Sequence, residues 1–461
     1  MRLGLGIDTG GTYTDAVILD FATGDILCKA KSQTTHGDLS RGIDLAIKGL
    51  EPGLLTDISM VSLSSTLATN SIVEGRGGRV GFVGIGLDFN RAVPVDMLCT
   101  VRGRYNLYGR QTETMDEPKV REFLESAKGK IDALAVSGYL SVRNPYHERR
   151  VKKLSDEILG VPVVCGHQLS ISLGFDERAV TAIMNARLLP VIRSLMRSVK
   201  ESLVRAGIDA PFMVVRGDGS LMSEATALDR PIETIISGPA ASLIGARALT
   251  GRDDAIVIDM GGTTTDIGVL RDGRPRLVEE GATIAGKRTK VLAASVSTTG
   301  LGGDSRIVVN GGRMLVGPHR AMPLCDAASK WPAVKKYLED ALREGFRKPR
   351  PVQDYSSLVL DCELFFADGA VDPARFDLGH NSLKLIELAS EGPISLRGAE
   401  VVTGIHPLSF GDSTLETLGL VQRIGFTPTD VVHALGEYVE YDAEASKLGA
   451  RYLAKIMGIG E

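Results

Sequence analysis

"GIDTGGTYTDAVI", residues 6–18, sets an acid, a pair of glycines, threonines and a second acid between apolar runs. Far downstream, residues 257–270 read "VIDMGGTTTDIGVL". Aligned on their acids, residues 8–15 and 259–266 agree at six of eight positions. The flanks agree in character, with "LGLGI" and "AIVI" before the repeat and "AVIL" and "IGVL" after it. Each copy reads as a short apolar strand, a tight Gly-Gly turn and a second apolar strand. A repeat this widely spaced is no solenoid. It predicts two related domains, each opening with a hairpin.

The chemistry of such a hairpin follows from its residues. Adjacent glycines let the turn adopt positive φ and let backbone approach a ligand closely. Their N–H groups then face a concavity suited to an anion, and threonine hydroxyls add donors. An aspartate ending the first strand repels phosphate but can hold Mg²⁺, directly or through water, or orient an attacking oxygen. One copy is compatible with an ordinary tight turn. Two copies point to a clamp around a polyphosphate.

Composition narrows the setting. At 461 residues the chain exceeds one ordinary core, so two or more domains are expected. The 53 basic residues nearly balance 57 acidic ones, which argues against a nucleic-acid partner. Five dispersed cysteines without a CxxC pair read as reduced, buried thiols. The start "MRLGLGIDTGG" lacks the apolar core of a signal peptide, and apolar runs stop short of a membrane span. A cytoplasmic location is expected.

Between the hairpins the signal alternates. Residues 130–140 and 161–166 read as buried strands joined by a helix, a βαβ unit. Asp176 then opens a long helical pattern with Val180, Ile183, Met184 and Leu188 on one face. Pro190 is expected to kink it and Gly207 to end it. A second small-residue helix, with Ala445 and Gly449, closes the chain.

The paired hairpins resemble the phosphate-1 and phosphate-2 motifs of the actin-like ATPase superfamily of sugar kinases, actin and heat-shock ATPases. A P-loop is excluded, since no GxxxxGK[ST] occurs. More narrowly, the chain is similar to the A-type subunits of the hydantoinase/oxoprolinase family. The similarity rests on "SSTLATNSIVEGRGGRVGFV" (64–83), "ISLGFDERAVTAIMNARLLPVI" (171–192), "IETIISGPAASLIGA" (232–246), the second hairpin, and "TGLGGDS" (299–305), in the family's order.

That resemblance implies an α/β fold of two RNase-H-like, actin-like ATPase domains with ATP in the cleft between them. The first would be an N-terminal domain over 1–175 and the second an ATPase domain over 176–461, with a small, mainly helical insert at 357–440. It implies ATP and Mg²⁺ as cofactors. Gly10, Gly11, Thr12, Thr14, Gly261, Gly262, Thr263 and Thr264 would hold the phosphates. Asp8 and Asp259 would serve Mg²⁺ and the attacking oxygen. Asp266 would stand behind them or satisfy hairpin backbone, as would Asp15. Gly300, Gly302 and Gly303 occupy the place of the adenosine loop. Substrate contacts would fall to Thr66, Thr69 and Asn70, which alternatively cap a helix. Asp218 would face the cleft or sit in a turn, and Arg288 would steady substrate charge or lie on a solvated strand. The seven histidines lack a metal-ligand spacing such as HExxH and are read as structural.

The family's chemistry is ATP-dependent: hydrolysis of N-methylhydantoin and 5-oxoproline, and carboxylation of acetone. The expected function is therefore phosphorylation of a carbonyl oxygen on a small amide, cyclic imide, 5-oxoproline-like or ketone substrate, completed with a B-type partner subunit. A homo-oligomer is compatible. The alternatives are a partner-driven, reactivase-type ATPase and a kinase of another metabolite. Two departures bear on the details. Many members read GAGGGS where this chain has Gly300-Leu-Gly-Gly-Asp304-Ser305, so Asp304 places a carboxylate near the expected nucleotide. The sequence stops soon after its closing helix, where longer members continue, and the B-type half is expected to lie on a separate partner.

Overall fold

The computed structural model describes residues 2–11, 13–34, 39–89, 95–344, 359–369 and 371–460. Thr12 and the first residues of the expected insert at 357–440 lie outside the described residues. Two compact units emerge: Met1–Val257 with Ile267–Ser297, and Ile258–Asp266 with Thr298–Glu461.

The first unit grows from its first hairpin. β1 (Leu3–Thr9) runs antiparallel to β2 (Tyr13–Asp20), placing Asp8 opposite Asp15 and Thr9 opposite Thr14. Burial alternates along β2, so Ala16 and Ile18 enter the core while their neighbours face outward. β3 (Ile26–Gln33) extends the meander. The chain then crosses through α1 (Leu39–Lys48) to β4 (Ile58–Ser65), which lies parallel to β1 on its other side. α2 (Leu67–Val73) begins directly after β4.

A second sheet follows, made of β5 (Val80–Ile85), β6 (Met97–Val101), β7 (Ala133–Gly138) and β8 (Val163–Cys165). All four are parallel, in the order β8-β7-β5-β6. Every residue of β5 and β7 is buried, the pattern of parallel strands covered on both faces. α3 (Tyr146–Ile158) joins β7 to β8 and completes the expected βαβ unit.

α4 (Phe175–Arg205) is the central helix of this unit. Its predicted stripe of Val180, Ile183, Met184 and Leu188 is buried, as are Leu195 and Val199 further along. Gly174, not Asp176, is the N-cap; Asp176 sits in the first turn, where its charge favours the helix dipole. The helix continues through Pro190, whose ring removes one backbone donor. Nearby, the N–H of Gly78 donates to the carbonyl of Arg187 at 2.9 Å. By length and composition α4 is apolar enough to cross a membrane, yet most of its apolar window is packed inside the protein.

β9 (Phe212–Val215) pairs in parallel with β4, and β10 (Leu221–Ser223) follows in a hairpin. The first sheet thus reads β10-β9-β4-β1-β2-β3. α5 (Ser237–Thr250) leads to the second hairpin, β11 (Ala255–Met260) and β12 (Thr265–Arg271), whose tip clusters with the second unit. β13 (Val296–Thr299) pairs with β12.

In the second unit, the hairpin β14 (Ser305–Asn310) and β15 (Arg313–Arg320) packs with α6 (Leu324–Lys330) and α7 (Ala333–Glu344). β16 (Leu364–Phe366) precedes α8 (His380–Glu391) and α9 (Leu396–Thr403). Between 359 and 440 the described residues are largely helical, with a small core of their own around Phe365, Leu385 and Phe410. β17 (Gln422–Gly425), α10 (Pro428–Leu435) and α11 (Ala443–Met457) finish the chain. α11 is the predicted closing helix, with Ala445 fully buried on its packed side.

Candidate functional site

The two hairpin tips share one local design. The N–H of Gly10 donates to the Tyr13 carbonyl at 2.9 Å, and the N–H of Gly261 donates to the Thr264 carbonyl at 2.9 Å. The last threonine of each repeat turns its hydroxyl onto an adjoining loop. Thr14 Oγ1 pairs with Thr34 Oγ1 at 3.0 Å, and Thr34 Oγ1 donates to the Gly10 carbonyl at 3.0 Å. Thr265 Oγ1 donates to the Leu301 carbonyl at 2.6 Å. The duplicated threonine therefore braces each tip from behind, and Thr14 is buried in that role.

In the first unit, the tip faces two helix starts. Asp8, at the end of β1, accepts a short hydrogen bond from Ser64 Oγ on β4, its parallel partner in the register. Thr66 is the N-cap of α2, and Asn70 Nδ2 donates to its hydroxyl at 3.4 Å. A Cβ on Gly11 would stand 3.4 Å from Asn70 Nδ2, so the glycine tip lies against that amide. Thr69 Oγ1 accepts the N–H of Ile236 at 3.1 Å, which ties α2 to the start of α5. Ser237 Oγ donates to the Ser65 carbonyl at 3.1 Å, and a Cβ on Gly238 would lie 3.3 Å from Thr66 Cγ2. Ile236 holds φ at +61°, an uncommon conformation for a β-branched residue. The strain sits where α5 opens toward the tip.

Gly10, Gly11, Asp8, Thr66, Thr69 and Asn70 thus gather in one place, with Ser64 and Ser237 added by the fold. Asp218 and Arg288 take other partners. Asp218 Oδ1 accepts the N–H of Ser220 at 2.9 Å and its hydroxyl at 2.6 Å in the β9–β10 turn. Arg288 pairs with Glu280 across an exposed loop.

In the second unit, the tip of the second hairpin carries the loop 300–304. Gly303 N–H donates to the Gly261 carbonyl at 2.9 Å, and Asp304 N–H donates to the Gly262 carbonyl at 2.8 Å. A Cβ on Gly302 would fall 2.5 Å from the Gly262 carbonyl oxygen and 2.7 Å from that of Gly261, so this approach requires glycine. Thr429, at the start of α10, donates its N–H to the Gly303 carbonyl at 3.0 Å. Asp259 is exposed at the end of β11. Thr263 is exposed and Thr264 half-buried beside it.

Two carboxylates here have altered acidity. Burial raises Asp266, the hydroxyl of Thr298 works against that by donating to it, and the nearby charge of Asp259 adds to the rise. Burial likewise raises Asp304, opposed by the Arg320 guanidinium at 3.0 Å. Arg320 also lines a cavity of about 600 Å³, with Arg306, His319, Thr414, Glu416 and Arg423. Thr298, Arg320 and Thr429 escaped the sequence reading, because each reaches the repeat through tertiary pairing and none belongs to a repeated pattern.

Residues 4–159 match the hydantoinase/oxoprolinase N-terminal region, and residues 178–326 match the hydantoinase/oxoprolinase domain. The chain belongs to the hydantoinase/oxoprolinase family. It is 28% identical to the caprolactamase alpha subunit of Pseudomonas jessenii, over 88% of this chain and 62% of that one. It is 27% identical to the acetophenone carboxylase gamma subunit of Aromatoleum aromaticum, over 69% of this chain and 49% of that one. The nucleotide-free structure of acetone carboxylase superposes with a TM-score of 0.60 at 18% identity, over 99% of this chain and 67% of that one. This last likeness concerns the fold. The chain spans about half to three fifths of the length of these curated relatives.

Proposed function

We propose that this hydantoinase/oxoprolinase chain binds ATP and transfers its γ-phosphoryl group to the carbonyl oxygen of a small substrate. The substrate class is an amide, cyclic imide or hydantoin, 5-oxoproline-like lactam, or ketone, activated for hydrolysis or carboxylation with a partner subunit. The observation that carries the reading is the duplicated tip, each copy closed by the same Gly N–H to carbonyl bond and each led by an aspartate. The relatives support an ATP-dependent reaction at an amide or a ketone. The order β9-β4-β1-β2-β3 supports an RNase-H-like first domain, and so a two-domain, actin-like ATPase.

Each residue has a task in this reading. Gly10, Gly11, Gly261 and Gly262 form the phosphate cradle: the Gly10 and Gly261 N–H groups hold each tip closed on its own carbonyl, while those of Gly11 and Gly262 donate to phosphate oxygens, aided by Thr263 and Thr264. Asp8 and Asp259 are hard oxygen donors at strand ends, a donor set that fits Mg²⁺ retaining several waters. The ion would neutralise phosphate charge. The substrate carbonyl oxygen attacks the γ-phosphorus, the bond to the bridging oxygen breaks, and ADP leaves. Thr66, Thr69 and Asn70 orient that carbonyl beside the first tip. Gly300, Gly302, Gly303 and Asp304 receive the nucleoside end, with the cavity beside Arg320 as its continuation.

The test is phosphate release by purified protein with Mg²⁺ and ATP, alone and against lactams, hydantoins, 5-oxoproline, cyclic imides and small ketones, with and without a B-type partner. Stimulation by one class identifies the substrate. Failure to bind nucleotide at all overturns the reading.

A further inference from the structure

The second sheet of the first unit holds side chains that phosphoryl transfer does not use. β7 ends at Gly138 and β8 at Cys165, and both flank the carboxyl edge of the sheet. Glu148 reaches this edge from α3, and His167 follows Cys165 after one glycine. Glu148 is fully buried, Cys165 is 1% exposed and the His167 side chain 11%. His167 Nδ1 lies 2.5 Å from Glu148 Oε2, and donor atoms of all three residues lie within 4.8 Å of one another.

Two neighbouring hydroxyls point to something further at this spot. Ser137 Oγ and Ser141 Oγ are buried and have no hydrogen-bond partner among the described residues. Ser137 Oγ lies 3.2 Å from where a Cβ on Gly166 would stand, between Cys165 and His167. Ser141 Cβ is 3.3 Å from the corresponding point on Gly138, beside Glu148 Oε1. A buried hydroxyl left without a partner is costly, so native structures rarely keep one unfilled.

We propose that Glu148, Cys165 and His167 form a Zn²⁺ site with a fourth position open toward Ser137. A thiol, an imidazole and a carboxylate together suit zinc and disfavour Mg²⁺ or Ca²⁺, which take oxygen ligands. Three protein ligands leave one tetrahedral position for water or a small ligand. On binding, Cys165 gives up its S–H proton to solvent, the Zn–S bond forms, and the neutral imidazole turns its Nδ1 lone pair to the ion. The supports for the ligands are in place. Gly138 N–H donates to Glu148 Oε1 at 2.8 Å, and His167 N–H donates to Oε2 at 3.0 Å. Arg178 fixes the end of β7 by donating to the Gly138 carbonyl at 2.8 Å. Such outer partners orient ligands and set affinity. Sequence spacing hides the site, since its ligands come from a helix, a strand end and a turn.

The test uses the full chain stripped with chelator and dialysed against Zn²⁺, then against Co²⁺ as a spectroscopic stand-in. One equivalent of zinc per chain is expected, with a thiolate-to-cobalt charge-transfer band. Cys165→Ala should abolish the band. Both it and His167→Gln should weaken zinc binding by more than the roughly 10–100-fold that loss of an outer-shell partner costs. Cys28→Ala, at a half-buried thiol elsewhere, should change neither. Circular dichroism checks that each variant is folded, and His167→Gln stands in should Cys165→Ala fail to fold. No retained zinc, or unchanged binding in the folded ligand variants, overturns the site and leaves Glu148–His167 as a buried hydrogen bond. Neither result touches the ATP reading, whose residues lie on the two hairpins, on α2 and in the loop 300–304.

Discussion

Asp8 and Asp259 occupy the same place in a duplicated sequence, yet their surroundings differ. Asp8 is half-buried and held by Ser64, whereas Asp259 is exposed. Replacing either by asparagine keeps the size of the side chain and removes the charge. Asp8→Asn and Asp259→Asn should each lower ATP turnover on the order of 100-fold, the scale of losing one preorganised electrostatic contact, with unchanged melting temperature. Wild-type phosphate release in both variants would remove the clamp. Cysteine chemistry gives a second prediction at this scale. Burial, reinforced by the charge of Glu148, pushes the Cys165 thiol up to about 12. Thiolate is the reactive form, so iodoacetamide at pH 8 should leave Cys165 unmodified in the folded, metal-free protein. Peptide mass spectrometry reads the outcome, and rapid labelling of Cys165 would contradict its burial.

At the scale of elements, loop 300–304 lies directly on the second hairpin, and its glycines are not equivalent. A Cβ at position 302 would overlap two carbonyl oxygens, while one at 300 meets nothing within 4 Å. Gly302→Ala should lift the loop from the tip, weaken nucleotide binding at least tenfold and cost about 1–3 kcal/mol, as overpacking does. Gly300→Ala should be near neutral. Equal effects in a nucleotide titration would mean that the loop plays no part in binding. This contrast also shows what sequence could and could not reveal. The hairpins, the βαβ unit and the helices at 175–205 and 443–457 were legible because each carries its own periodicity or repeat. Ser64 was not, because its tie to Asp8 depends on which strand lies parallel to β1 and in what register. Asp304 was legible as a carboxylate near the loop, but its pairing with Arg320 on β15 depends on how that hairpin folds back.

For the molecule as a whole, the described residues of the second unit include a buried ionic cluster beside its apolar cores. Glu363 is fully buried beneath Arg306 on β14 and Arg423 on β17, with contacts of 2.6 Å and 3.0 Å. Burial alone would raise the Glu363 carboxyl, but the two guanidiniums outweigh it and hold it below the ordinary range. The sign of the pH effect follows. A folded-state pKa below the unfolded value of about 4.3 adds stability that is present above that pH and is lost as pH falls through the folded value. Glu363→Gln removes the charge at every pH and takes a buried carboxylate from Arg306 and Arg423, at a cost of about 3 kcal/mol near neutrality, the low end for a broken buried pair because Arg423 keeps Asp412 and Glu416. The gap between wild type and variant should therefore shrink on acidification. Trp331, the single tryptophan, packs tilted against Phe366 with ring centroids 5.0 Å apart and belongs to the second unit. Its fluorescence during urea unfolding follows that unit without assuming that both units unfold together. A gap that stays constant from pH 7 to pH 3 would show that the Glu363 charge contributes nothing and that only its packing matters.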